Sequence, residues 1–414
     1  MGAGVDVCFA NPGTSEMHFV AALDDAPRMR PVLCLFEGVA TGAAGGYGRL
    51  ADRPACTLLH LGPGLAGGLP NLHNARRAGT PVVNVVGGHA LHHKRLDAPL
   101  ESDITALART VSTWTRRTYR ASDLAGDLAE AVAAAYGPPG GVSTLVVPAD
   151  VSWSEAGKGG VEPVTPRTGA VSPAAVTAAA EALRSREPAA LLLGGAATRG
   201  AGLMAAARVA AATGARLLCE TFPARLQRGA GLPPVERLAY RGADVAAQLS
   251  GVRHLLLAGT AEPVSFFAYP GQQGRLVPDG CEVRSLSVGS EDVTTALEAL
   301  AAAYDAITPI PQAPIRPERP TGALTAASAA AVIGALLPEG GRRRRRGEHL
   351  RAVAARCHRG RTAARLADPQ SLCHIPGRAP AVWHARSPRC RNVLVAPLRG
   401  RSGALRSHAP DDAR

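Results

Sequence analysis

Two consecutive α/β domains, each a doubly wound parallel sheet, followed by a disordered basic tail, are predicted for this chain from three observations. Apolar runs of strand length alternate with small-residue stretches of helical length, the connections between them are short, and polar Pro/Gly segments interrupt the alternation twice. Parallel strands need crossover helices, which the alternation supplies.

Residues 5–10, VDVCFA, read as a short buried strand, and NPGTSE as turn chemistry leading into a helix whose first turn carries Ser15 and Glu16. After a loop from Asp24 to Arg30, PVLCLF is the next buried strand, ending at Glu37. A small-residue helix, GVATGAAGGYGRLA, follows, and then a strand, ACTLLHL. Gly62-Pro63-Gly64 starts another helix through NLHNARRA, and PVVNVVGG is the fourth strand. The first domain is expected over residues 1–155, and VSWSEAGKGGVEPVTPRTGAVS near 151–172 is a linker. A second domain, expected over 172–305, begins with the helix PAAVTAAAEALRS. It runs through AALLLGG, GLMAAARVAAATG, ARLLCE and VAAQLSGVRHLLLAG to VTTALEALAAAY. Residues 306–320, AITPIPQAPIRPERP, form a second Pro-rich linker before one more helix, GALTAASAAAVIGALLPEG.

At 414 residues the chain is long enough for two or three domains with real cores. No apolar run reaches the roughly 18–20 residues that span a bilayer, and the N-terminus lacks a secretory pattern, so a cytoplasmic protein without membrane contact is expected. Its 8 cysteines show no CxxC spacing, which favours reduced thiols over disulfides or zinc. Lysine occurs only at Lys94 and Lys158, a bias toward Arg that reflects codon usage first.

The formal net charge of +13 is a nucleic-acid signal until it is located. Residues 341–414 hold 18 of the 46 basic residues and only four of the 33 acids, so the rest of the chain is near neutral. That tail follows neither a helical nor a strand period and has little apolar surface to offset the entropy of ordering, so disorder is expected. One origin is a displaced reading frame after Gly340. GRRRRRGEH written as GGC CGT CGT CGT CGA CGA GGC GAA CAC and shifted by one nucleotide gives Ala-Val-Val-Val-Asp-Glu-Ala-Asn, a buried strand ending in acids. Sequencing the gene there decides it. The alternative is a genuine arginine-rich arm that binds nucleic acid, attached to a non-catalytic two-domain binding protein.

Four groups of residues carry a resemblance: Asn11-Pro12-Gly13-Thr14-Ser15-Glu16, Phe36-Glu37-Gly38, His60-Leu61-Gly62-Pro63-Gly64 and Asn71-Leu72-His73-Asn74-Ala75. In order and spacing the sequence resembles the N-terminal part of thiamine diphosphate-dependent enzymes, of the acetolactate synthase large-subunit-like kind near benzoylformate decarboxylase. GTAEPVSFFAYPG at 259–271 is similar to the central domain of the same family. The resemblance implies a pyrimidine-binding domain, a central domain and a diphosphate-binding domain, the last begun at 321–340 and then truncated. In the family a Gly-Asp-Gly motif holds Mg²⁺ and the diphosphate, and no Gly-Asp-Gly occurs in this sequence.

Thiamine chemistry requires a carbanion at C2 of the thiazolium, formed by the cofactor's own 4′-amino group after a protein carboxyl group protonates N1′ of the pyrimidine. Glu37 is the acid the resemblance points to. It leaves an apolar strand beside Phe36, Gly38 and Val39, so burial is expected to raise its pKa. Taken alone, Glu37 also fits a carboxylate placed electrostatically at a helix N-terminus. By resemblance His60 matches an active-site histidine that moves protons, Asn11, Pro12, Gly13 and Pro63 shape the pyrimidine pocket, and Thr14 lies near substrate. Read only as residues, the Asn-Pro-Gly and Gly-Pro-Gly runs are turns, and His60 is a strand-end histidine. His73 and the His89, His92, His93 cluster lack ligand-spaced partners and read as surface or channel residues, so no metal ligands are assigned.

Two departures from the family pattern matter. Gly67 stands where relatives often carry an Asn that touches the cofactor, and Leu100 where acetolactate synthases carry a Gln. GGAATRG is a poor phosphate loop, so a bound FAD is not expected. The expected function is decarboxylation of a small 2-oxo acid, with release of an aldehyde or its ligation to another carbonyl. The family's sites lie between subunits, implying a homodimer or homotetramer, or a separate diphosphate-binding subunit. Without that anchor the chain is expected to be inactive alone.

Overall fold

The computed structural model describes residues 4–138, 140–156, 162, 164–166, 168–304, 312, 316–323 and 325–336, with the backbone of 342–344 and 364–367. The first strands and helices are β1 (Val7–Asn11), α1 (Met17–Asp24), β2 (Arg30–Leu33), α2 (Glu37–Ala51), β3 (Ala55–Leu59), α3 (Leu61–Arg77) and β4 (Val82–Gly88). They continue with α4 (Ile104–Val111), β5 (Trp114–Arg117), α5 (Leu124–Tyr136), β6 (Val142–Pro148) and α6 (Ala149–Trp153). Six strands form one sheet in the order β2-β1-β3-β4-β6-β5, every pair parallel.

Helices cover both faces of this sheet, as its unbroken apolar strands require. On one face α2, α3 and α4 bury Ala40, Leu65, Leu72 and Ile104 against Val7 and Phe9. On the other, α5 buries Ala131, Val132 and Ala135 against Cys8 and Leu145, with Phe19 of α1 packed at the margin. Asn84 interrupts the apolar run of β4, and the sheet satisfies it laterally. It accepts from Thr57 at 2.7 Å and donates to Thr144 at 3.0 Å, and the Thr144 hydroxyl lies 2.7 Å from that of Ser112.

The second unit begins with α7 (Pro173–Arg184), β7 (Ala189–Leu193), α8 (Gly200–Thr213), β8 (Arg216–Cys219), β9 (Arg225–Arg228), β10 (Glu236–Arg237) and α9 (Gly242–Leu249), of which β9 lies outside its five-stranded sheet. It ends with β11 (His254–Ala258), β12 (Glu282–Ser285) and α10 (Val293–Ala302). The order is β10-β8-β7-β11-β12, again parallel throughout. Helix ends follow local chemistry: Ser172 caps α7 with Pro173 behind it, Asp103 caps α4 and Asp292 caps α10. The fold class read from the sequence, two parallel α/β units, is the one observed.

Arg225 joins the two units. Its side chain is 1% exposed, and its Nη1 donates to the Arg49 carbonyl at 3.0 Å and to Asp52 at 2.6 Å, both at the C-terminal end of α2. Thr198 holds the Arg225 backbone from the other side through a 2.7 Å hydrogen bond to its carbonyl.

A further helix, α11 (Ala326–Leu336), lies within the stretch expected to be helical. Most of the linker expected at 306–320 lies outside the described residues, as do the disorder and displaced frame expected beyond Gly340. The exceptions in that tail are β13 (Arg342–Arg344) and β14 (Ala364–Ala367), which pair in parallel, with β14 antiparallel to β9.

Candidate active site

Because β1 pairs with β2 on one side and with β3 on the other, the connections leaving β1 and β2 run in opposite directions across the sheet. A crevice therefore opens at the carboxyl ends of β1 and β3, the usual ligand position in an open α/β sheet. Three predicted site groups come to this edge: Asn11-Pro12-Gly13 follows β1, Glu37 follows β2, and His60 follows β3.

The tightest cluster in the crevice centres on a residue the sequence reading left unassigned. Glu16, only 2% exposed in its side chain, places Oε2 at 2.7 Å from His60 Nδ1, and the Gly13 N–H donates to the same oxygen at 2.8 Å. Its other oxygen, Oε1, is buried without a protein partner among the described residues. Two glycines make this possible. A methyl group on Gly13 would sit 2.4 Å from His60 Nδ1, and one on Gly87 would sit 1.6 Å from Glu16 Oε1. The three-residue spacing that lets Glu16 reach back to the Gly13 N–H, half of a capping box because glycine has no side chain, was the only local signal for Glu16.

His60 is aimed by an unusual backbone. Leu61, 1% exposed, has φ 52°, a left-handed conformation that a bulky residue rarely adopts and that accumulates at functional sites. It turns the chain from β3 into α3 at the residue after His60.

Glu37 opens α2, with its end of the helix tied to α3. Thr41 Oγ1 donates to the carbonyls of Glu37 at 2.9 Å and Gly68 at 3.2 Å, and Asn71 Nδ2 donates to the Gly38 carbonyl at 2.6 Å. α3 is the common floor: Gly64 lies beneath His60, and Gly67, about one turn further along, lies beneath the Glu37 carboxylate. The burial expected around Glu37 differs from what is found. Glu37 is half-buried, and Leu33, Leu35 and Phe36 beside it are 68%, 92% and 50% exposed, because β2 is an edge strand that ends at Leu33 and the segment from it to α2 lies at the same margin. Cys34, between them, is no candidate nucleophile. Burial, and secondarily Cys8, pushes its thiol up to about 11, leaving it neutral near pH 7.

The remaining predicted positions lie at the rim. Thr14 and Pro63 are exposed, the latter on the first turn of α3, while Asn11, Pro12 and Gly13 are half-buried. His73 is exposed, and His92 lies 3.7 Å from Asp150. No group of three or more His, Cys, Asp or Glu residues among those described could hold a metal ion. Leu100 is 40% exposed, on a loop fixed by the Lys94–Glu101 ion pair. At the matching crevice of the second sheet, a methyl group on Gly194 would meet the Gly259 carbonyl at 2.7 Å and Glu220 Oε1 at 2.9 Å. That edge is closely packed and carries a carboxylate, a poor surround for a phosphate. No helix among the described residues is long and apolar enough to cross a membrane.

Residues 2–107, which hold the whole crevice, match the thiamine pyrophosphate enzyme, N-terminal TPP binding domain. The chain is 60% identical over 340 residues to the putative acetolactate synthase large subunit IlvX of Mycobacterium tuberculosis, an alignment covering 81% of this chain and 65% of that protein. It is 31% identical over 175 residues to benzoylformate decarboxylase of Pseudomonas aeruginosa, covering 41% of this chain and 32% of the relative. The chain thus spans just under two thirds of the length of IlvX. In fold it superposes on thiamine diphosphate-dependent 4-hydroxybenzoylformate decarboxylase of Rhodococcus jostii with a TM-score of 0.72 at 20% identity, over 90% of this chain and 74% of the other. Residues 2–107 are therefore a thiamine pyrophosphate enzyme N-terminal TPP-binding domain, and over 340 residues the chain is a homologue, at 60% identity, of an acetolactate synthase-like protein.

Proposed function

We propose that this chain provides the pyrimidine-binding half of a thiamine diphosphate site, and that the complete enzyme decarboxylates a small 2-oxo acid and releases the aldehyde or joins it to a second carbonyl. The observation that carries the reading is that Glu37 and the Glu16-bound His60 lie over the same helix, α3, against Gly67 and Gly64 respectively, inside the segment that matches the TPP-binding domain. The residues present fit the pyrimidine half of the cofactor in chemistry: a half-buried carboxylate, Glu37, and an imidazole, His60, stand over the same helix, α3.

When bound, thiamine diphosphate supplies the electron sink that decarboxylation needs. Glu37 then holds a proton at its carboxyl oxygen for the ring nitrogen. Glu16 engages His60 Nδ1 and keeps Nε2 for exchanging protons with substrate. Asn11, Pro12, Gly13 and Pro63 wall the pocket, and Thr14 at the rim faces the 2-oxo acid. The diphosphate and Mg²⁺ find no such fit, because the sequence has no Gly-Asp-Gly, so those contacts are assigned to a separate surface. Exposed Leu33, Leu35 and Phe36 beside Glu37 mark where a second copy or a diphosphate-binding subunit closes the site and supplies the missing shelter.

Each charge-assisted contact to a phosphate contributes about 1.5–3 kcal/mol, so losing several abolishes tight binding. Isothermal calorimetry with thiamine diphosphate and Mg²⁺ tests this on the 414-residue protein. Binding weaker than micromolar is expected for the chain alone, and micromolar binding would show that the anchor lies within it.

A further inference from the structure

We propose that Asn71 is a positioning residue for Glu37: from α3 its amide braces the first turn of α2, the turn that carries the acid. The proposal rests on the reading of Glu37 as the acid that faces the pyrimidine. Asn71 Nδ2 donates to the Gly38 carbonyl at 2.6 Å, one residue beyond Glu37. Thr41 Oγ1, 2.9 Å from the Glu37 carbonyl and 3.2 Å from the Gly68 carbonyl, crosses between the same two helices.

The start of α2 needs a brace. Phe36 stands at its N-cap position and has no polar atom with which to cap the first N–H groups. The segment before it leaves an edge strand, and Leu33, Leu35 and Phe36 are exposed. An uncapped turn on an open margin frays unless packing from elsewhere holds it. The bond from Asn71 is additional to those of the helix. Gly38 lies within α2, where its carbonyl accepts from the N–H four residues on and keeps a second lone pair for another donor. Asn71 therefore satisfies no orphaned group; it fixes α2 against α3.

The amide is itself confined. A methyl group on Gly42 would lie 3.1 Å from Asn71 Nδ2 and 3.5 Å from its Cγ, so the amide lies against bare backbone one turn after Gly38. Asn71→Ala separates bracing from general packing by sign. Ala is the stronger helix former, so the substitution favours α3 itself while the start of α2 loses its brace. A residue kept only for α3 would show no loss at α2.

The experiment measures amide hydrogen exchange by NMR in wild type and Asn71→Ala, together with saturation-transfer NMR using 4-amino-5-hydroxymethyl-2-methylpyrimidine as probe. The N–H groups of Thr41 and Gly42, which bond the Glu37 and Gly38 carbonyls within the helix, are expected to exchange about threefold to tenfold faster in Asn71→Ala, while those of β3 and β4 keep their wild-type rates. Probe binding is expected to weaken by a similar factor, about threefold to tenfold. Adding Phe36→Ser, which supplies an N-cap, is expected to restore part of both losses. Asn71→Leu, close in volume and also without a donor, repeats the test. Unchanged exchange at Thr41 and Gly42 in the folded variants, or faster exchange with undiminished probe affinity, would overturn the proposal. A wild-type protein that ignores the probe while the exchange difference remains would count against the proposed function and still establish the brace.

Discussion

Glu16 and His60, 44 residues apart in sequence, meet at 2.7 Å because β1 and β3 are neighbours in the sheet. A carboxylate only accepts hydrogen bonds, so Nδ1 is the donor and Nε2 is the ring nitrogen left for another partner. Glu16→Gln keeps the volume and loses this constraint. Nitrogen-15 NMR of His60 is expected to show a single Nδ1–H tautomer in wild type and a tautomer mixture in the variant. Glu16→Ala also strands the Gly13 N–H and is expected to cost about 1–3 kcal/mol in urea unfolding.

Asn84 spans three strands through Thr57 and Thr144. Asn84→Leu removes the amide while leaving both hydroxyls buried at the centre of the first sheet. A destabilisation of about 1–3 kcal/mol is expected from the Thr57 hydroxyl left unpaired, since Thr144 keeps Ser112. Urea titration checks this, and Asn84→Leu combined with Thr57→Val should recover part of the loss.

The buried Arg225 guanidinium ties the second unit to the end of α2. Arg225→Leu is expected to lower stability by about 1–3 kcal/mol, since an Arg49 carbonyl and the Asp52 carboxylate each lose a charged donor. The two units should then unfold in separable steps, visible as two calorimetric transitions where wild type shows a more merged one. An unchanged calorimetric profile would remove Arg225 from this role.

Tyr47 gives the pH dependence a sign. Burial, reinforced by the 2.5 Å hydrogen bond to Asp6, pushes its phenol up to about 12, from an ordinary value near 10. The unfolded chain loses this proton first, so the contribution to stability is complete below pH 10 and falls away as pH rises toward 12. Urea midpoints measured from pH 8 to pH 11 should therefore fall less steeply in Tyr47→Phe than in wild type.

Much of the scaffold was legible because strand and helix periods are local. VCFAN, ACTLL and VVNVVGG are strands, and Glu37 stands at the strand-to-helix junction where apolar patterning ended. What escaped was set by sheet order, which the sequence does not spell out. Glu16 read only as a first-turn acid until β3 was placed beside β1 and brought His60 over it. Gly13 and Gly87 read as a turn residue and a strand end, whereas each makes room for a side chain supplied by a different segment. The shelter expected for Glu37 failed for a related reason: an apolar strand predicts burial, but β2 is an edge strand that ends at Leu33, and Leu33 and the following Leu35 are exposed. The short strands β9, β10 and β12 carry too few apolar residues for their period to show.

The central claim is that the Glu37 carboxylate faces a pyrimidine ring held over α3. Proton–nitrogen correlation spectra of wild type and Glu37→Gln, titrated with 4-amino-5-hydroxymethyl-2-methylpyrimidine, test it most directly. The account predicts shifts confined to Gly13, Glu37, His60, Gly64 and Gly67, and at least about tenfold weaker binding by a folded Glu37→Gln protein. Equal affinity in the two proteins, or shifts centred on the second sheet, would contradict it.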